Sequence, residues 1–279
     1  MTYFKTIGLH KEPFSTSPDP EFFYLSKEHE TALTNIMIEL RLKRGLSVIL
    51  GDVGTGKTTL SRKLIQELKT RDDIIFSIVL VPSFENEFLF LKSLAKNFEI
   101  DNNPAATILD LREALERFLF QKGVNENRII VLIIDEAQKL NGPSLENLRA
   151  LLNYETNEYK LLQLVLLGQL ELHSVILNMP NFFDRISFKY TLNPLGLDET
   201  KELVSFRLRQ AGYSASVPLF SDGAVAEIHE YAKGYPRRVT MICHKALKAL
   251  MIQNKLVVDQ QIIKDLINEE IKHGWARNK

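Results

Sequence analysis

At 279 residues, 45% hydrophobic and 25% charged, the chain is long enough for one large α/β domain and a small satellite, with a core that needs no staples. Its 35 Lys and Arg balance 35 Asp and Glu, which excludes a global field drawing the protein to nucleic acid or to an acidic membrane. The single cysteine, Cys243, excludes an internal disulfide. No apolar run reaches the length of a membrane span and the N-terminus has no signal pattern, so the expectation is a cytoplasmic protein without membrane insertion.

Residues 1–26 are rich in proline and aromatics: Phe4, Pro13, Phe14, Pro18, Pro20, Phe22, Phe23 and Tyr24. They read as a coil packing its rings on the main domain, and equally as a border for a nucleotide base; the two are compatible. Ser26 caps a helix expected to run to about residue 44, with Leu33, Ile36, Met37 and Leu40 on one face. Strands are expected over residues 46–50, 74–81, 128–134, 161–167 and, shorter, 186–192. Helices are expected between them over 58–68, 88–98, 109–120 and 145–154. Alternation of this kind means a parallel sheet joined by crossover helices, and the continuously apolar strands fit a sheet covered on both faces. After Pro194 only helices follow, over 198–211, 221–232, 236–254 and 259–271, with Pro236 suited to a first turn. Cys243 falls in the apolar rhythm of Val239, Ile242, Ala246 and Leu247 and reads as a core residue. The expected division is a segment over 1–26, an α/β domain over 27–195 and a helical domain over 196–279. From residue 201 onward Lys and Arg exceed Asp and Glu by 13 to 8, a weak polyanion patch at most.

Gly51-Asp52-Val53-Gly54-Thr55-Gly56-Lys57-Thr58 matches the Walker A pattern in full, between an expected strand and an expected helix, with Thr59 following. The glycines let the backbone aim its N–H groups at phosphate oxygens, and the helix start adds its positive dipole end. Lys57 is positioned for the β- and γ-phosphates of ATP, and Thr58 for Mg²⁺. The apolar run over 129–134 then delivers Asp135 and Glu136 at a strand's C-terminal end, where ligands bind in open α/β sheets. Asp135 is expected to hold Mg²⁺ through water and Glu136 to orient the attacking water, which favours hydrolysis over transfer to an acceptor.

Together with Gly168-Gln169-Leu170-Glu171-Leu172 and Gly234-Tyr235-Pro236-Arg237-Arg238, these motifs resemble the AAA+ ATPases. More narrowly they resemble the ExeA/GspA type linked to bacterial secretion and pilus biogenesis. Further matches run in family order over nearly the whole chain: Gly8-Leu9, Pro13-Phe14-Ser15, Pro18-Asp19-Pro20, Phe23-Tyr24-Leu25-Ser26, Asp135-Glu136-Ala137-Gln138 and Leu192-Asn193-Pro194-Leu195. The resemblance implies that Gln169 is the sensor-1 residue near the γ-phosphate. It implies that Arg237 is sensor 2, reaching the nucleotide from the helical lid, although the residues alone do not choose between Arg237 and Arg238. Arg185 matches the arginine-finger region; on the residues alone it reads equally as a surface group paired with Asp184. The resemblance further implies a homo-oligomer, ring or filament. Two departures stand out. Relatives carry Asn before the proline that follows the second strand, where it restrains the catalytic Glu, whereas this chain has Val81. Leu170 stands where relatives have Pro.

The expected function is therefore an ATP hydrolase driving assembly or remodelling of an envelope secretion or pilus machine with a protein partner. In extent the chain is nearer the short, MshM-like members than those continuing into a membrane span and a cell-wall domain. The alternative is a DNA-associated regulator of the MuB/TniB transposition type, disfavoured by the neutral charge. A small-molecule P-loop kinase is disfavoured by Glu136 and the helical lid.

Overall fold

A computed structural model describes residues 3–16, 20–100 and 107–273. They fall into two compact units, one drawn from residues 27–53 and 60–192, the other from 1–26, 54–59 and 193–279.

The first unit is built on a five-stranded parallel sheet. In chain order its elements are α1 (Lys27–Arg41), β1 (Leu46–Gly51), α2 (Lys57–Lys69), β2 (Ile74–Val79), α3 (Glu87–Asn97) and α4 (Ile108–Phe120). They continue with β3 (Ile129–Ile134), α5 (Gly142–Leu151), β4 (Leu162–Gly168), α6 (Glu171–Leu177), α7 (Pro180–Phe183) and β5 (Ile186–Leu192). The strand order is β2-β3-β4-β1-β5. The three central strands β3, β4 and β1 are buried at every position, so their Val/Ile/Leu-rich runs, unbroken in β3 and interrupted by Ser47 in β1 and Gln163 in β4, are what a sheet covered on both faces demands. The edges differ. In β5 only alternate residues turn inward, because an edge strand covered on one side needs apolar residues only at Ile186, Phe188, Tyr190 and Leu192. Leu91 and Leu94 of α3, Leu111 and Leu115 of α4 and Leu148 of α5 share one core with Ile130, Leu132, Leu164 and Leu166 of the sheet. Each such side chain contributes about 1.5–3 kcal/mol by leaving water.

Local chemistry sets the element ends. The Asn86 side chain accepts from the Leu89 N–H at 2.9 Å and starts α3. Thr107 and Asp110 form a reciprocal capping box on α4. Asn141 caps α5 through the Ser144 N–H at 2.9 Å, so that helix opens at Gly142, three residues before the expected start. The second strand stops at Val79, short of the expected 81, and Leu80 and Val81 beyond it are exposed. The helices α6 and α7, and a π-type turn Gln121–Asn125 continuing α4, are additions to the expected elements.

The second unit contains α8 (Leu197–Gln210), α9 (Asp222–Ala232), α10 (Pro236–Ile252) and α11 (Gln260–Lys272). Its core holds Leu203, Val225, Ile228, Val239, Cys243, Leu247 and Ile263, and also Leu9, Phe14 and Phe22. The N-terminal aromatics thus pack on the helical unit, not on the sheet unit as expected. Phe14 meets Phe220 edge-on at 5.7 Å, which places its ring in a gap the four helices do not fill themselves. The backbone is tied down there too: the His10 N–H donates to the Ala211 carbonyl at 2.8 Å, and Arg207 donates to the Pro13 and Ser15 carbonyls. His244 Nδ1 lies 2.9 Å from the Glu12 carboxylate. Of the Pro18-Asp19-Pro20 motif, Pro18 and Asp19 lie outside the described residues. Cys243 is fully buried and its thiol is pushed up by that burial, as a core residue's should be. Among the described residues, no helix is long and apolar enough to cross a membrane.

Candidate nucleotide site

β1 runs out at Gly51 and α2 begins at Lys57, so the Walker A loop is the connection between a buried strand and a helix N-terminus. Gly54 has φ +91°, a conformation an L side chain rarely adopts, and it is what lets the loop double back. Along the loop Asp52 is half-buried, Val53 is exposed and Thr55 is fully buried. Thr58 and Thr59 sit half-buried on the first turn of α2. Lys57 is 6% exposed, the only lysine among the described residues buried so far. A lysine is seldom enclosed without an anionic or hydrogen-bonding purpose, and here it stands at a helix start whose N–H groups favour anions. This is a fit to phosphate.

β3 delivers Asp135, 2% exposed, whose N–H extends the sheet by donating to the Val79 carbonyl at 2.9 Å. The chain then turns sharply. Glu136 takes the left-handed conformation, φ +53° and ψ +36°, held by its N–H donating to Asp135 Oδ1 at 2.9 Å. Such backbone in a non-glycine residue costs on the order of 1 kcal/mol and gathers at functional sites. It opens a short 3₁₀ turn, Ala137–Lys139, which brings the Gln138 side chain back alongside Glu136. Gln138 Nε2 lies 2.8 Å from Glu136 Oε2, and the Gln169 N–H donates to Gln138 Oε1 at 3.0 Å. Lys139 Nζ stands 3.9 Å from the same Glu136 oxygen. Gln169 follows β4, the strand between β3 and β1. Three parallel strands therefore end together with Gly51, Asp135-Glu136 and Gln169 at the C-terminal edge of the sheet.

Arg185 is elsewhere. It precedes β5, whose first residue pairs with Leu46 at the start of β1, while Leu192 pairs with Gly51. It therefore lies at the opposite edge of the sheet, a strand's length of roughly 17–20 Å from Gly51. Its guanidinium donates to the Asn181 carbonyl and, at 2.7 Å, to Asn153 Oδ1; among the described residues it makes no ion pair with Asp184.

In the helical unit the two candidate arginines part company. The Arg237 N–H donates to the Gly54 carbonyl at 3.3 Å, and its side chain lies beside Gly54, where an added Cβ would stand 3.1 Å from the Arg237 Cβ. Arg238 instead stands over the Tyr235 ring at 4.9 Å. Among the described residues there is no cluster of three or more His, Cys, Asp or Glu to cage a metal. Asp135 in one unit offers a buried carboxylate and Thr58 in the other a half-buried hydroxyl, each a donor of the kind Mg²⁺ takes while keeping most of its waters.

The AAA domain family matches residues 40–176, spanning the loop, the Asp135-Glu136 pair and Gln169. General secretion pathway protein A of Aeromonas hydrophila is 36% identical over 249 residues, which are 88% of this chain and 44% of that protein. Over these spans the chain is similar to AAA+ ATPases of the ExeA/GspA type. It spans less than half the length of that relative. The fold also agrees with solved structures of far lower identity. Cdc6p of Pyrobaculum aerophilum aligns with TM-score 0.67 at 18% identity, over 88% of this chain and 67% of that one. The Aeropyrum pernix ORC1 protein in complex with DNA gives 0.65 at 15%, over 93% and 69%. Within the AAA+ frame, two residues that sequence reasoning passed over acquire partners: Gln138 and Asn153. Gln138 stood in a motif but had no role, because a contact to a residue two places back needs the left-handed turn at Glu136, which no periodicity reveals. Asn153 carried no signal in the sequence.

Proposed function

We propose that the chain hydrolyses ATP and uses the cycle to assemble or remodel a bacterial secretion or pilus machine, acting as a homo-oligomer. The observation that carries the hydrolase reading is the shared C-terminal edge, where a Walker A strand, an acidic pair and Gln169 end side by side. The loop N–H groups and Lys57 would bind the β- and γ-phosphates. Thr58 and Asp135 would hold Mg²⁺, which when bound neutralises phosphate charge. Glu136 would orient a water for in-line attack and accept its proton. Gln169 would sense the γ-phosphate, and Arg237, running along Gly54, would close the site from the lid. Residues 1–26 cluster with 54–59 and with the lid in one unit, which supports placing the base beside that segment. The secretion role rests on the similarity to general secretion pathway protein A.

ATP titration and phosphate release test this on the purified chain and two variants. Lys57→Ala should lose most ATP affinity. Glu136→Gln should retain affinity while turnover falls by about two to three orders of magnitude, since only water activation is removed. Wild-type affinity in Lys57→Ala would mean that the site is wrongly placed. Undiminished turnover in Glu136→Gln would assign the water to another group.

A further inference from the structure

We infer that Gln138 is the positioning residue for Glu136, and that its carboxamide ties the catalytic carboxylate to the backbone of the sensor strand β4. The inference rests on the hydrolase reading above. Glu136 follows a buried strand but is not extended: its positive φ turns the chain off the strand line. It is half-exposed, so packing does not fix its rotamer. What does fix it is a hydrogen bond from Gln138 Nε2 to Oε2 at 2.8 Å.

The orientation of that carboxamide is not open to choice. The Gln169 N–H can only donate, so the atom facing it at 3.0 Å must be the carbonyl Oε1. The Glu136 carboxylate can only accept, so the atom facing it must be the NH₂. Both ends agree, and glutamine is the side chain that satisfies both: it carries an acceptor and a donor on one rigid plane. Two consequences follow. Oε2 is occupied by Gln138, with Lys139 behind it at 3.9 Å, and Oε1 has no hydrogen-bond partner among the described residues, which designates it as the oxygen for water. Second, any displacement of the Gln169 backbone by a γ-phosphate is passed through one amide to Glu136, so base and sensor move as a pair. Val81, apolar and exposed, offers no competing restraint.

The test uses the full chain with Gln138→Leu, which removes both bonds, and Gln138→Glu, which keeps size and shape but replaces the donor by a second carboxylate. A hydrogen bond to a charged group is worth enough for about a 10- to 100-fold change in rate. The expected result is that fall in kcat for Gln138→Leu and a larger one for Gln138→Glu, with ATP affinity within about twofold of wild type because the hydrogen bonds of Gln138 run to Glu136 and Gln169. In a Glu136→Gln background the same substitutions should change single-turnover rate by less than about twofold, since the base they position is gone. A merely structural Gln138 would lower rate, affinity and melting temperature together in both backgrounds. If Gln138→Leu does not fold, the isosteric Gln138→Glu carries the experiment. Normal kcat in a folded Gln138 variant, alongside an inactive Glu136→Gln, overturns this inference and leaves the hydrolase reading intact. A wild-type chain that binds ATP but releases no phosphate overturns both.

Discussion

Gly234 decides where α10 begins, and α10 carries Arg237 to Gly54. Its φ is +72°, and a Cβ there would stand 2.1 Å from the Leu195 carbonyl oxygen, a backbone atom that no rotamer change can move. The Leu195 N–H also donates to the Gly234 carbonyl at 2.9 Å, so the two segments are locked at contact distance. Gly234→Ala should therefore shift the start of α10, destabilise the helical unit by a few kcal/mol and weaken ATP binding by roughly tenfold, although residue 234 touches no phosphate. Melting and ATP titration check this; wild-type values in both would show that the segment tolerates the displacement. Among single residues, the sequence was legible only for groups whose roles are set by neighbours in the chain. Lys57, Thr58, Asp135 and Glu136 stand in motifs of fixed spacing. Gln138, Asn153 and the separation of Arg237 from Arg238 depend on backbone turns and long-range approach, which spacing does not encode.

Among the elements, the central strands were the most legible, because burial on both faces writes an unbroken apolar run into β3 and a nearly continuous one into β1 and β4. The helices α6 and α7 were not, being seven and four residues long and separated by Asn178-Met179, too short to show a period. The N-terminal segment was legible as aromatic packing but not as to its host, since nothing in a run of Phe and Pro names the surface it covers. That host changes what a truncation would mean. With Leu9 and Phe14 in the helical core, deleting residues 1–20 removes core as well as any base contact, so lost ATP binding would be ambiguous. Phe14→Ala isolates the packing contribution. It should cost about 3–5 kcal/mol in the helical unit, through the emptied site and the lost edge-to-face contact with Phe220. Hydrogen exchange should show faster opening of α8–α10 amides with β1, β3 and β4 unaffected. Unchanged protection across the helices would mean that the segment contributes little to their stability.

For the whole molecule the question is whether one chain holds a complete site. Arg185 sits at the N-terminal edge of the sheet and Gly51 at the C-terminal edge, separated by the length of β1, beyond the span of one side chain. It cannot serve its own phosphates. It is nonetheless held in a defined pose by Asn153 and Asn181, and among the described residues no acidic partner neutralises it. We propose that this fixed guanidinium, far from its own site, serves a neighbour's nucleotide. Charge supplied in trans in this way is worth about 10³–10⁵ in rate in related phosphoryl-transfer systems. Arg185→Ala should bind ATP normally and hydrolyse it slowly, and wild-type specific activity should rise with protein concentration as ATP bridges subunits. Mixing Arg185→Ala with Glu136→Gln, each nearly inactive, should restore part of the activity, because some interfaces would then join an intact Glu136 to an intact Arg185. A cis-acting or structural arginine cannot produce that rescue. Turnover independent of concentration, together with no rescue in the mixture, would withdraw the oligomeric reading and leave a monomeric nucleotide switch.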